Sequence, residues 1–451
     1  MKPTQTADAV YAEAPAPAAH AEPSAPLVHA APSAAARARG LDRWLRRRLL
    51  AHLGGMSRGA LVIEDPVGRT VLGTADASHP HPVYLKVLDL GFYRALAIHG
   101  SVGAGEAYGD GLWQCDDLVG LVRLLVRNRD LLDGLESGLA RAGGWLMRAW
   151  HAAQRNTRAG SRRNIAAHYD LGNDFFASFL SADMMYSSAL WEARHDTLAL
   201  ASARKLDAIC RQLDLQPGDR VIEIGTGWGG FAIHAARHYG CHVTTTTISR
   251  EQHALAAERI AKAGLQGRID LRLQDYRDLD GQYDKLVSVE MVEAIGAAYL
   301  PTYFATLTRL LTPRGLALVQ AITIEDHRYA QALRSVDFIK RHIFPGSFIP
   351  SLAAMLSAKT AVSDLALVHL EDFGLSYART LQAWREAFVQ AGPTLAGQGY
   401  DARFQRLWTF YLAYCEGGFR ERSIGVAHLL FARPEAQPTA YRWTARDRAA
   451  R

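Results

Sequence analysis

The chain has 451 residues, 49% apolar and 21% charged, which is enough for two globular domains with sizeable cores and excludes a wholly disordered or fibrous protein. No run approaches the ~20 uncharged apolar residues of a spanning helix, so any membrane contact is expected to be peripheral. The net charge of +6 suits a partner with a negative surface, nucleic acid or anionic lipid, and the sign alone does not choose between them.

Residues 1–40 are rich in Ala and Pro, scatter their charges and lack the basic-then-apolar order of a secretory signal, so they read as a disordered tail. Cys115, Cys210, Cys241 and Cys415 lie far apart with no C-x-x-C pair. That spacing argues against a disulfide framework and a zinc cluster, and a reducing cytoplasm is the simplest setting. Basic residues concentrate in Arg43, Arg46, Arg47 and Arg48 and again in Arg155, Arg158, Arg162 and Arg163, each group equally readable as a solvated helix face or linker.

A small mixed domain is expected over 41–152, with strands at 61–63 and 83–87, a Gly-rich stretch SVGAGEAYGDGLW at 101–113, a helix over 116–128 and a second amphipathic stretch near 131–152. Residues 153–163 lack apolar periodicity and read as a basic linker. From 164 to 433 strands and helices alternate: strands at 220–224, 242–247, 269–272, 284–290 and 315–323, helices at 229–239, 250–264 and 298–311. This order predicts an α/β fold with a mostly parallel sheet covered on both faces. Strands at 366–372 and 424–431 are expected to complete the sheet. Helices at 327–342, 378–391 and 401–419, rich in aromatics, are expected to cap an apolar cavity, although for any one ring ordinary core packing is a better account than substrate contact. Residues 434–451 read as a second tail.

Val221 to Phe231 reads VIEIGTGWGGF, a strand running into a glycine turn of the G-x-G-x-x-G form. A dinucleotide site needs an acid ~20 residues on, at the end of the next strand, where this chain has Thr244 to Thr247. S-adenosylmethionine carries no pyrophosphate and needs the same close glycine approach with acids nearby; Glu223 and Asp275 supply them, Asp275 being equally readable as a turn residue. His234 and His238 stand at helical spacing with no evident third ligand, so no metal is expected.

Nine ordered motifs, among them NIAAHYDLGNDFF (164–176), MMYSSALW (184–191), VIEIGTGWGG, TISREQ (247–252), QDYRDL (274–279), VSVEMVEAIG (287–296), IFPGSFIPS (343–351), SYARTLQAW (376–384) and FYLAYCEGGF (410–419), resemble the cyclopropane-fatty-acid synthase family of S-adenosylmethionine-dependent methyltransferases, which includes the mycolic acid cyclopropane synthases. The resemblance runs from about 55 to 432, and GSVGAGEAYGDGLW (100–113) is similar to the amino-terminal domain of phospholipid-acting members. It implies a Rossmann-like class I methyltransferase sheet with a helical cap, a smaller N-terminal α+β domain that associates with lipid, and transfer of a methylene group to the cis double bond of an unsaturated phospholipid acyl chain through a carbocation.

On this resemblance the cofactor residues are Tyr186, Ser187, Glu223, Gly225, Gly227, Gly229, Thr247, Gln252, Asp275 and Tyr276. The catalytic group is Glu293, Tyr377 and Cys415, with Ser188 and Gln320 standing where the family has cysteine and histidine. The base is expected to be a bound bicarbonate held by these five residues. Read without the family, Cys415 is a buried apolar residue, while a carboxylate at Glu293 in an apolar run needs a partner. A protein at the inner face of an anionic membrane, with no nucleic-acid partner and forming a homodimer, is the accompanying expectation. A methylene- or methyl-branched product, or a soluble acceptor, is the alternative.

Overall fold

A computed structural model describes residues 40–77, 80–131, 160 and 171–437, and the described residues form one compact unit. Residues 1–39 and 438–451 of the two tails, all but Leu131 of the stretch near 131–152, the 153–163 linker except Gly160, and 164–170 of the first motif lie outside the described residues.

The first arginine cluster lies on a helix, α1 (Gly40–Leu53). Leu45, Leu49, Leu50 and Leu53 are buried on one face, while Leu41, Arg43, Trp44, Arg47 and Arg48 are exposed. Arg46 leaves the exposed set: its Nε donates to Asp65 at 2.5 Å, and Tyr93 donates its hydroxyl to the same carboxylate. The helix packs beside a four-stranded sheet in the order β2-β1-β3-β4, formed by β1 (Gly59–Asp65), β2 (Gly68–Thr74), β3 (Val83–Val87) and β4 (Trp113–Cys115).

The Gly-rich stretch forms the second half of a helix, α2 (Gly91–Gly109), kinked at Gly100, whose φ of 55° and ψ of −130° leave the helical region. Its glycines serve close packing. A Cβ on Gly105 would lie 2.3 Å from the Phe338 ring, and one on Gly109 would lie 2.7 Å from Leu407. The following helix, α3 (Leu118–Arg127), is started by Asp117, whose side chain accepts from the Gly120 N–H.

The second part is a seven-stranded sheet in the order β10-β11-β9-β8-β5-β6-β7, from β5 (Arg220–Ile224), β6 (His242–Thr247), β7 (Ile269–Leu273), β8 (Tyr283–Val289), β9 (Leu311–Ile324), β10 (Ala366–Asp372) and β11 (Ile424–Ala432). β11 alone runs antiparallel to its neighbours β9 and β10. The longer helices of this part are α4 (Leu198–Gln212), α5 (Gly230–Tyr239), α6 (Arg250–Lys262), α7 (Leu300–Leu310), α8 (Asp326–Arg334), α9 (Leu352–Thr360), α10 (Gly374–Gln390) and α11 (Ala402–Arg420). The two late strands thus complete the sheet as the sequence predicts.

The helix predicted over 327–342 is two pieces, α8 and a turn of π-helix at Ile339–Ile343. Ser335 is extended, and the buried Lys340 ammonium caps the broken end by donating to the Ala332 and Ser335 carbonyls. α4, which no periodicity argument picked out, starts at Thr197 as a side-chain cap.

The two sheets are joined by α11. Gly417 lies against Val122, and the Glu421 carboxylate accepts from Arg123 and Arg127 of α3 at 2.7 and 2.6 Å. Gly105→Val is therefore expected to push α2 off Phe338 and cost about 1–3 kcal/mol by overpacking, seen as a lower Tm in thermal unfolding. Gly267→Ala, whose Cβ meets nothing within 4 Å, should leave Tm unchanged.

Candidate active site

In an open α/β sheet the ligand site forms beyond the carboxyl ends of the strands, where the strand order reverses. Here that point lies between β5 and its two parallel neighbours, β6 and β8. The turn after β5 holds Gly225, Gly227 and Gly229 at φ of 103°, 52° and 85°, values that ordinary side chains reach only with strain. Gly229 caps α5; Gly225 and Gly227 line a cavity of about 1310 Å³, and a Cβ on Gly227 would meet nothing within 4 Å.

Around this turn stand the other expected cofactor residues. Glu223 is buried in β5 and accepts from Thr245 Oγ1 at 2.6 Å, and Thr245 in turn accepts from Thr226. Burial lifts the Glu223 carboxyl to about 8. Thr247 Oγ1 donates to Gln252 Oε1 at 2.8 Å, joining the end of β6 to the first turn of α6. The two oxygens of Asp275 accept from Arg277 Nε and Nη2 at 2.8 and 2.6 Å. Beside them Tyr276 Oη is buried and has no hydrogen-bond partner among the described residues. Tyr186 donates to, or accepts from, Tyr411 at 2.9 Å, and Ser187 Oγ accepts from Lys205 Nζ at 2.8 Å. Nine of the ten expected cofactor residues, all but Gly229, line this cavity. Open space at Gly227, an orphaned phenol at Tyr276 and buried acids fit an uncharged adenosine moiety bearing a cationic tail.

The catalytic expectations are rearranged. Ser188 turns its hydroxyl away to the Ala189 carbonyl, and only its backbone N–H points inward. Ser188 and Gln320 are fully buried behind the cavity wall rather than lining it. What stands in front of them is Glu290, a residue absent from the sequence-derived set. Its carboxylate accepts from the Ser188 N–H at 2.9 Å, from Gln320 Nε2 at 2.7 Å and from the Tyr377 hydroxyl at 2.6 Å. Burial raises its proton affinity above the usual carboxylate range, and the hydrogen bonds from Tyr377 and Ser188 offset part of that rise.

Glu290 also sits at φ 48°, a left-handed conformation that costs a non-glycine residue about 1–3 kcal/mol and persists where surroundings enforce it. Gln320 holds it twice, since its carbonyl accepts from the Glu290 N–H at 2.8 Å.

A second tier fixes Gln320. His428, its cross-strand partner on β11, contacts Gln320 Oε1 through Nε2 at 3.0 Å and Gln212 Nε2 through Nδ1 at 3.2 Å. An amide oxygen only accepts and an amide NH2 only donates, so His428 is the neutral Nε2–H tautomer. Burial and the Lys205 charge depress its proton affinity to about 3, consistent with that form. Lys205, fully buried on α4, has its own value lowered by burial to about 8, with Glu290, Asp183 and Glu223 pulling the other way.

Glu293, the expected catalytic carboxylate, lines the cavity. Its Oε1 accepts from the Ile322 N–H at 2.5 Å, while its Oε2 is buried with no partner among the described residues. Burial, then the neighbouring Glu290 charge, pushes it to about 8. Cys415 faces the cavity with its thiol pushed far up by burial, so it stays protonated. Tyr377 is stacked on Phe419 at 4.4 Å.

The five residues expected to hold a free bicarbonate do not form an open seat. Three of their donors are taken by Glu290, Ser188 offers no hydroxyl, and Cys415 offers only a protonated thiol. Bicarbonate does not fit the site as built.

Residues 156–429 match the family described as Mycolic acid cyclopropane synthetase. The chain belongs to this family. It is 39% identical over 347 residues to the tuberculostearic acid methyltransferase UfaA1 of Mycobacterium tuberculosis, covering 74% of this chain and 79% of that protein. It is 37% identical over 354 residues to the cyclopropane-fatty-acyl-phospholipid synthase of Escherichia coli, covering 78% and 88%. Among solved structures, the mycolic acid cyclopropane synthase CmaA1 complexed with SAH and CTAB superposes with a TM-score of 0.55 at 28% identity, over 60% of this chain and 98% of that one. The chain is an S-adenosylmethionine-dependent methyltransferase with the class I sheet, and S-adenosylmethionine is its cofactor.

Because Glu293 is neutral up to about pH 8 when folded and ionises near 4.5 when unfolded, the native state binds the extra proton between those values. Its contribution to stability is full below pH 4.5 and declines as pH rises towards 8, by at most about 1.4 kcal/mol per pH unit. Glu293→Gln removes that decline: its Tm should fall less than the wild-type Tm between pH 5 and 8 in parallel thermal scans.

Proposed function

We propose that the protein transfers a one-carbon unit from S-adenosylmethionine to the cis double bond of an unsaturated phospholipid acyl chain, closing a cyclopropane ring. The observation that carries this reading is the continuity of the cavity. It runs from the glycine turn past Glu290, Glu293 and Tyr377 to Leu61, Ile63 and Leu85 of the N-terminal sheet and Phe92 and Leu96 of α2. At about 1310 Å³ it exceeds the usual 300–1,000 Å³ or so of a single-ligand pocket, leaving room for a long apolar chain beside the cofactor. Each buried methylene adds about 0.8 kcal/mol.

Bound S-adenosylmethionine supplies an electrophilic methyl on a sulfonium. The chain's own residues do the rest. The apolar walls exclude water and hold the weakly nucleophilic alkene in line. As the alkene's π pair forms a bond to the donated methyl, that methyl's bond to sulfur breaks with its electron pair left on sulfur, and the neighbouring alkene carbon becomes cationic. The faces of Tyr186, Phe344 and Tyr411 and the carboxylate field at Glu290 stabilise it. A C–H bond of the new methyl then breaks, its electron pair closes the ring, and the proton passes to a base.

A second product is favoured by the similarity to the tuberculostearic acid methyltransferase. If a hydride shifts to the cationic carbon before deprotonation, loss of a proton from the same methyl gives a methylene branch of equal mass.

At the surface, Trp44 is 41% exposed and also lines the cavity, with Arg48 stacked over its ring at 5.6 Å. Leu41, Arg43 and Arg47 are exposed on the same helix. An aromatic set among cations suits an anionic lipid surface, each cation near it adding about 1 kcal/mol. Among the described residues no helix is long and apolar enough to cross a membrane.

Incubation with S-adenosylmethionine and anionic vesicles of monounsaturated phospholipid should add one CH2 to the acyl chain. Product that resists mild hydrogenation is a ring, and product that takes up hydrogen is a methylene branch. Unchanged lipid, with methylation of a soluble acceptor, contradicts the reading. Charge reversal at Arg47 and Arg48 together with Trp44→Ala should weaken co-sedimentation with anionic vesicles while leaving S-adenosylhomocysteine affinity intact.

A further inference from the structure

We propose that Glu290 is the resident anion and proton acceptor of this site, so that the reaction needs no bicarbonate. The inference rests on the lipid-transfer reading for its substrate, and on geometry for everything else.

A carboxylate and a bicarbonate present the same pair of oxygens to a ring of donors. The donors here, the Ser188 N–H, Gln320 Nε2 and the Tyr377 hydroxyl, converge on Glu290 at 2.6 to 2.9 Å. Glu290 lines the cavity while Ser188 and Gln320 lie behind it. The chain reaches this arrangement by holding a glutamate at φ 48°, and backbone strain of that kind concentrates at functional positions. The orientation of the Gln320 amide towards Glu290 is forced by His428 through its Nε2–H tautomer. The buried Lys205 supplies a compensating positive charge.

Among the groups beside Glu290, none of Glu293, Cys415 and Tyr377 is suited to take the proton. Glu293 has one oxygen bound to the Ile322 N–H and, pushed up to about 8 by burial and then by the neighbouring Glu290, keeps its own proton at neutral pH. The Cys415 thiol stays protonated and the Tyr377 phenol is already a donor. In the step itself, the C–H bond of the new methyl breaks and its electrons form the carbon–carbon bond. The proton goes to a Glu290 oxygen, with Tyr377 and Gln320 holding the carboxyl in place.

The test compares the full-length wild type with Glu290→Gly and Glu290→Gln. Glycine relieves the left-handed backbone and opens an anion-sized space; glutamine keeps the shape without the base. In carbon-dioxide-free buffer, with S-adenosylmethionine and monounsaturated anionic vesicles, the wild type should turn over at the same rate with or without added bicarbonate. Both variants should lose about 10²–10⁴-fold in kcat while retaining S-adenosylhomocysteine affinity. Bicarbonate or formate should restore turnover to Glu290→Gly alone.

An independent readout is binding of 13C-bicarbonate followed by NMR: none by the wild type, saturable uptake by Glu290→Gly. Wild-type turnover that collapses without bicarbonate, saturable bicarbonate binding by the wild type, or full turnover by either variant overturns the inference. If the wild type modifies no lipid, the functional reading fails instead, and the 13C-bicarbonate titration still decides who occupies the seat.

Discussion

The site depends on one buried carboxylate kept ionisable inside an apolar cavity. Removing a charge from water costs several kcal/mol unless hydrogen bonds and opposite charge replace the solvent. Glu290 has both: three donors at 2.6 to 2.9 Å and the buried Lys205 nearby. Each donor comes from a different element. Ser188 lies before α4, Gln320 on β9 and Tyr377 on α10, so closing this cluster fixes the cap against the sheet edge. The second carboxylate, Glu293, is left with an unpartnered oxygen. Its neutrality follows first from burial and then from the neighbouring Glu290 carboxyl, as happens when two acids share a water-poor space.

The fold places the cofactor turn, the carboxylate pair and the apolar chamber in sequence along one cavity. Strand order puts the turn after β5 beside the end of β8, which delivers Glu290 and Glu293. The N-terminal sheet contributes Leu61, Ile63 and Leu85, side chains that alternate onto one face and extend the apolar wall. The glycines of α2 permit that approach, because a side chain at Gly105 or Gly109 would collide with Phe338 or Leu407. The Gly-rich stretch is a helix-packing device.

Much of the sheet domain was legible because its signals are local. Apolar strands alternate with amphipathic helices, a glycine turn follows β5, and the absent acid at Thr247 separates one cofactor class from another. The helix predicted over 327–342 broke at Ser335 because Lys340 folds back on the carbonyls of α8, a tertiary event with no periodic signature. In the active site, motif matching found Glu293 and Tyr377 but passed over Glu290, three residues earlier in the same apolar run. Glu290, like Glu293, is a carboxylate in an apolar run that needs partners. His428 within IGVAHLLFA carries the same signal, a titratable residue inside an otherwise apolar element, whereas Lys205 does not stand out because Arg204, Asp207 and Arg211 share its helix. Their partners lie 85 or more residues away from Glu290 or pair across strands, so only the folded sheet brings them together. Ser188 acts through its backbone, which no side-chain comparison could reveal.

The most direct measurement is a crystal structure of the protein with S-adenosylhomocysteine and a monounsaturated phospholipid. The account predicts the acyl chain in the cavity running towards Leu61 and Ile63, its double bond flanked by the cofactor sulfur and the Glu290 carboxylate, with no separate anion on Ser188, Gln320 and Tyr377. An acyl chain bound elsewhere, or a free anion seated on those three donors with Glu290 turned away, would contradict it.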